Sequence, residues 1–246
     1  MRDGEWRRFL AAVAMYIRNL PEQERCIYNR IREKYTLTFD KLKVGEKTVR
    51  LLKAADLEEI LAGKDPFADV AEFPFWIRLW EAAMVLSYVL CSLPERQGKS
   101  LLELGAGLGA PGLTAAAAGF DVTLSDYEEI ILDFQRVSSA ASGIPGVRSI
   151  LLDWLNPPDL QPFDVIAGAE ILFRKEFLQP ILAIIKTYLK PDGAVYLAHD
   201  VRRKCLPQFL EIAKEDFNIA VGKQTLQTSR GEVTIIVNCL KRKNRP

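Results

Sequence analysis

Apolar residues open the chain at helical spacing. Trp6, Phe9, Leu10, Val13, Ile17 and Leu20 predict an amphipathic helix that packs against something. It stops before Pro21, whose fixed φ suits the first turn of a second helix, and Glu22 and Glu24 complement that helix's dipole. The period then changes from helical to alternating. Tyr35-Thr-Leu-Thr-Phe39 alternates as a strand does, and Gly45-Glu46 offers a tight turn into residues 48–52, so a β-hairpin is expected. Asp56 caps a short helix through residue 61.

From about residue 100 short apolar runs alternate with helical patterns. Strands are expected at 101–104, 121–125, 147–152, 163–169 and 194–198, and helices at 111–118 and 128–141. A further amphipathic helix carries Phe177, Ile181, Ile184, Ile185, Tyr188 and Leu189. This alternation predicts an α/β fold with a parallel, doubly wound sheet covered on both faces. The tail differs: residues 217–222 and 233–240 leave no room for a helix between them, so they close the sheet as a terminal hairpin with at least one antiparallel strand. In such a sheet the ligand binds at the carboxyl ends of the strands, near the switch point.

Composition narrows the class. The chain has 246 residues, 49% apolar and 26% charged, with a net charge of +1. That length fits one large domain plus an appendage, divided here into an N-terminal extension, 1–73, and a main domain, 74–246. Near-neutrality argues against a protein that lives on phosphate contacts, so nucleic acid is not expected as a partner. Residues 51–200 carry 21 acidic and 11 basic side chains between two mildly basic ends, a pattern read as solvated faces. Cys26, Cys91, Cys205 and Cys239 form no metal-ligand spacing and suggest no disulfide framework, and His199 is the sole histidine. No metal site is expected, and a reducing, cytoplasmic location fits best. Residues 9–17 superficially resemble a signal peptide, but Arg18 closes the run without a small-x-small cleavage site. The most apolar later stretch, 82–93, is too short to span a bilayer.

The chemistry collects at the strand ends. Glu103-Leu-Gly105-Ala106-Gly107-Leu-Gly109 ends the first core strand and opens a helix; glycines there let the backbone approach a ligand. Two ligands fit such a loop: a dinucleotide, since Gly105-x-Gly107-x-x-Ala110 meets the looser fingerprint, or S-adenosylmethionine (SAM). Asp126 ends the second strand, where a carboxylate accepts ribose hydroxyls or caps the next helix. Asp153-Trp154 ends the third, where an indole face and a carboxylate suit an adenine.

The ordered set resembles the seven-strand SAM-dependent methyltransferases over roughly residues 74–240. Besides these motifs it includes Leu189-Lys-Pro-Asp-Gly193 before the fifth strand. Phe75-Trp76-Ile-Arg-Leu-Trp80-Glu81, upstream of the glycine loop, and Phe163-Asp-Val-Ile-Ala-Gly-Ala169-Glu170 narrow the resemblance to the lysine methyltransferase-like branch, related to nicotinamide N-methyltransferase. The resemblance implies a Rossmann-like sheet of order 3-2-1-4-5-7-6 and SAM as cofactor. By position it places Trp80 along the cofactor and the backbone of Gly105, Ala106, Gly107 and Gly109 around it, with Glu103 beneath. Asp126 and Tyr127 fall at the ribose, Asp153 and Trp154 at the adenine, and Ala169 on the strand-four wall. The implied acceptor is a lysine amine on a protein; a small-molecule amine is the alternative.

One motif departs. That branch carries Asp-x-x-Tyr after strand four, where this chain reads Glu170-Ile-Leu-Phe173, keeping the acid and losing the phenol. Glu170 is the expected catalytic residue, orienting the amine or receiving its proton. His199-Asp200 closes strand five; a lone histidine at a strand end reads as a structural hydrogen-bonder, with an exposed imidazole acting as a base near the acceptor as the alternative. The basic run Arg202-Arg203-Lys204 reads as solvated. Two rivals stand beside this: a nicotinamide-dependent reductase, which leaves Asp153-Trp154 and the closing hairpin unexplained, and a SAM-fold scaffold without turnover.

Overall fold

The computed structural model describes residues 15–55, 78–228 and 231–243. Most of the first expected helix, the helix expected at 56–61 and the Phe75-Trp76 pair lie outside the described residues. Helix α1 (Glu22–Ile31) follows Pro21 and buries Ile27, Tyr28 and Ile31. Strands β1 (Leu37–Val44) and β2 (Lys47–Ala54) form the expected hairpin, with Val44 opposite Lys47 and Gly45 reversing the chain at φ +57°.

The main sheet has seven strands: β3 (Ser100–Glu103), β4 (Asp121–Asp126), β5 (Arg148–Leu151), β6 (Phe163–Ala169), β7 (Leu189–Asp200), β8 (Phe217–Thr228) and β9 (Gly231–Arg242). Their order is β5-β4-β3-β6-β7-β9-β8; the first five are parallel, and β9 runs antiparallel between β7 and β8. This is the order 3-2-1-4-5-7-6 that the resemblance implied. Strand β7 runs twelve residues rather than five, because it pairs with β6 on one side and β9 on the other.

Among the described residues, five helices cover the sheet: α2 (Glu81–Ser92), α3 (Ala110–Ala117), α4 (Glu129–Ala141), α5 (Leu178–Tyr188) and α6 (Cys205–Ala213). Successive strand residues point to opposite faces, so Leu101 joins the core under α2 and α3 while Leu102 joins the core under α5 and α6. Helix α6 lies outside the expectations above. Its signal is short: Cys205, Leu206, Phe209 and Ala213 recur at helical spacing and are buried. Its presence corrects the reading of the preceding basic run, because Arg203 is drawn into the interior at 4% exposure.

The hairpin docks along α4 through backbone-to-hydroxyl bonds. The N–H of Leu52 donates to Ser138 Oγ at 2.8 Å and that of Arg50 to Ser142 Oγ at 2.7 Å. These bonds satisfy ladder groups that would otherwise be orphaned on an edge. The same contact buries Phe39, Leu52, Phe134 and Val137 together with Leu108 of the glycine loop. The N-terminal region therefore supports that loop from behind. No described helix is long and apolar enough to cross a membrane.

Candidate active site

The glycine loop is built around backbone conformations that side chains resist. Gly105, Gly107 and Gly109 have φ of +56°, +52° and +78°. A Cβ on Gly105 would lie 3.0 Å from Ile171 Cγ2 and 3.2 Å from Trp154 Cζ2, so the loop's closeness to its neighbours depends on glycine. Gly109 departs from its expected place: it does not line the cavity described below, but turns the chain into α3 from the left-handed region.

Glu103 is 1% exposed, and its Oε2 accepts the Gly112 N–H at 2.7 Å. Burial pushes its carboxyl up to about 8 against that hydrogen bond, and the charge of Asp126 adds to the push. Gly112 is a residue that sequence reasoning missed. A Cβ there would overlap Leu124 Cδ2 and sit 2.6 Å from Glu103 Oε2. The available signal was a glycine inside a helix, which needs a packing reason.

Asp126 accepts the Gly107 N–H on Oδ2 at 2.7 Å and the Tyr127 N–H on Oδ1 at 2.8 Å. It is tied to the glycine loop, while Glu128 takes the cap position of α4 without a side-chain bond. Each oxygen retains a lone pair for a ribose hydroxyl. Burial raises this carboxyl to about 6. Tyr127 stands beside it, 68% exposed on the rim. Asp153 Oδ1 accepts the Leu155 N–H at 2.9 Å and shapes the turn that carries Trp154. The Trp154 ring meets Phe177 edge-on at 5.3 Å and Phe173 at 6.0 Å.

Trp80 immediately precedes α2, with the Arg78 guanidinium 4.6 Å from its ring centre and bonded to Glu81 Oε1 at 2.8 Å. One cavity of about 590 Å³ joins these groups, a volume ordinary for a cofactor site. Trp80, Glu103, Gly105, Ala106, Gly107, Asp126, Tyr127, Asp153, Trp154, Ala169 and Glu170 all line it. Lining groups that sequence reasoning passed over include Phe177 and Arg174. Because β3 lies between β4 and β6, Asp126 and Glu170 flank the glycine loop about 10 Å apart, two strand spacings.

Glu170 is where expectation and structure differ most. It follows β6 at φ +58°, 7% exposed, and its N–H donates to the Ala198 carbonyl at 2.9 Å. Oε1 accepts the Asp200 N–H at 2.6 Å, and Oε2 is ion-paired with the Nε of Arg203. Burial raises this carboxyl while Arg203 pulls it down. It is a partnered carboxylate, not a free base. His199 takes the structural reading and not the base alternative: it is fully buried, and Nε2 accepts the Leu172 N–H at 3.1 Å. Desolvation drives its pKa down to about 3, so the ring is a neutral strut between β7 and the loop after β6.

The residues present fit a nucleoside bearing a sulfonium side chain. The glycine cradle would be filled by a Cβ at Gly105, Asp126 offers acceptors to vicinal hydroxyls, and Trp80 and Trp154 supply aromatic faces. The family model for lysine methyltransferases matches residues 75–216, more than half of the chain. EEF1A lysine methyltransferase 3 from Mus musculus is 31% identical over 161 residues, 59% of this chain and 69% of that one. The histone-arginine methyltransferase METTL23 from Rattus norvegicus is 33% identical over 133 residues, covering 51% of this chain and 59% of that one. Among solved structures, a TehB-like SAM-dependent methyltransferase from Corynebacterium glutamicum superposes with a TM-score of 0.52 at 20% identity, over 64% of this chain and 88% of that one, which speaks for the fold. With these matches and the geometry of the cavity, the chain belongs to the lysine methyltransferase family, and S-adenosylmethionine is its methyl donor.

Proposed function

We propose that the protein methylates the side-chain amine of a lysine on a folded protein partner. The observation that carries this reading is the end of the cavity past the glycine loop. There Phe173, packed edge-on against Phe177, forms an apolar wall three residues after Glu170, a carboxylate that already holds a guanidinium. SAM supplies an electrophilic methyl group, so the protein's task is to present an uncharged nucleophile in line with it. A lysine amine (reference pKa about 10.4) sheds its proton more readily against apolar walls, since desolvation disfavours the ammonium. Glu170 then acts as an orienting acceptor for an amine N–H, using a lone pair left after its bonds to Asp200 and Arg203.

An arginine acceptor, as named for the rat relative, fits less well. Its guanidinium stays charged at neutral pH and needs an uncommitted carboxylate, whereas Glu170 is engaged by Arg203. The test is transfer of tritium from methyl-labelled SAM into a dialysed cell extract, before and after reductive alkylation of its lysines. Label in a protein band that the blocking abolishes, with methyl-lysine found by mass spectrometry, is the expected result. Label that survives blocking would end the lysine assignment, and label that requires the dialysed small molecules would point to a metabolite amine. No label under any condition would favour a scaffold. The same reading includes a cytoplasmic location: all four cysteines are free thiols, which suits a reducing compartment, and cell fractionation checks it.

A further inference from the structure

Two adjacent arginines follow β7, and they divide two carboxylates between them. Arg202 takes Asp200. Its Nε and Nη2 reach Asp200 Oδ1 and Oδ2 at 2.9 and 2.6 Å, and its side chain is 62% exposed. Arg203 takes Glu170, with both side chains at 6% exposure or less. The first pair joins an exposed guanidinium to a buried carboxylate, whereas the second is buried on both sides, and such a pair is costly to build and costly to break. A bond network joins the same two segments: Glu170 N–H to Ala198 O, Asp200 N–H to Glu170 Oε1, and Leu172 N–H to His199 Nε2. These contacts fix residues 170–172, and Phe173, which follows them, forms part of the cavity wall.

We propose that Arg203 is a positioning residue for methyl transfer, holding the Glu170 side chain in place at the acceptor end of the cavity. The inference rests on the lysine reading and deepens it. A buried carboxylate without a cation would take up a proton, and its Oε–H would then compete with the amine as a donor. With Arg203 in place the pair is neutral overall. It offers a lone pair to an amine N–H without binding a lysine ammonium tightly. Among the described residues, the charges that act on Glu170 come from Asp200 and Arg203. Asp200 opposes its ionisation but is itself neutralised by Arg202; His199 is uncharged; Arg203 is the cation bonded to it.

Two measurements test this in the full-length protein, using Arg203→Met, Arg203→Lys, Glu170→Gln and the Glu170→Gln/Arg203→Met double variant. The first needs no acceptor. Carboxyl signals of glutamate-labelled protein are followed by carbon NMR from pH 5 to 9, with Glu170→Gln identifying the signal. Glu170 should titrate at a higher pH in Arg203→Met than in the native protein, and near the native midpoint in Arg203→Lys. A Glu170 signal that does not change in Arg203→Met overturns the proposal. The second is the initial rate of tritium transfer into the lysine band, with SAM affinity measured calorimetrically. Arg203→Met should lose at least tenfold in kcat at unchanged Kd for SAM, Arg203→Lys should recover most of it, and the double variant should be no worse than Arg203→Met. A variant that only melts earlier, at native kcat, also overturns the proposal, because the pair would then be structural alone. If no lysine is labelled by the native protein, the lysine reading fails, while the NMR titration still decides what Arg203 does to Glu170.

Discussion

Replacing Glu103 by Gln should change how the protein's stability depends on pH, and the structure sets the size. The carboxyl is 1% exposed and pushed up to about 8, mainly by burial, whereas in the unfolded chain it titrates near 4.3. Between those values the folded protein keeps a proton that the unfolded chain has released. The stabilisation is thus complete below the unfolded value and is lost as pH rises through about 8, at up to about 1.4 kcal/mol per pH unit. The glutamine side chain has nothing to titrate, and its amide oxygen can still accept the Gly112 N–H. From pH 5 to 8 the Glu103→Gln variant should therefore gain on the native protein by up to about 4 kcal/mol, then gain no more. Urea midpoints measured at unit pH intervals from 5 to 9, at fixed ionic strength, read this directly. A difference that stays constant over that range would refute the reasoning, since the carboxyl would then ionise as easily inside the fold as outside it. The same group bears on cofactor choice. A sulfonium favours ionised Glu103, so SAM affinity should rise with pH below 8 more steeply than affinity for the uncharged-sulfur product, and Glu103→Gln should erase that contrast.

Three further substitutions probe other parts of the same structure. Gly112→Ala should cost about 1–3 kcal/mol by overpacking and weaken SAM binding by displacing Glu103, read by urea unfolding and calorimetry; native behaviour would show that α3 has slack at this point. Trp154→Ala should raise the Kd for SAM about tenfold or more, from lost stacking worth roughly 1–3 kcal/mol. An unchanged Kd would remove Trp154 from the cofactor wall. Asn238→Leu should stabilise the protein by about 1–3 kcal/mol, because Asn238 is fully buried and neither amide atom has a partner among the described residues. A loss of stability instead would mean that an internal water serves the amide.

What the sequence determined was whatever depends on local order. Alternating strands and helices gave the parallel sheet, and the gap between residues 222 and 233, too short for a crossover helix, gave the antiparallel closing hairpin. Apart from Gly109, the residues expected around the cofactor converge on one cavity. Its groups sit at the ends of consecutive strands, so position in sequence maps onto position in the cavity. Gly105, Asp126 and Trp154 fell together for that reason. The acceptor half was not legible, because its meaning lies in contacts between distant residues. Glu170 and Arg203 are 33 positions apart, and only the pairing of β6 with β7, followed by the burial of α6, brings a charge that looked solvated onto a carboxylate that looked free. Of the two roles open to His199, packing chose the structural one: in the sheet it is a buried acceptor for Leu172. Local chemistry names the groups, but burial and partners, which are set by tertiary packing, decide which of them keep a charge.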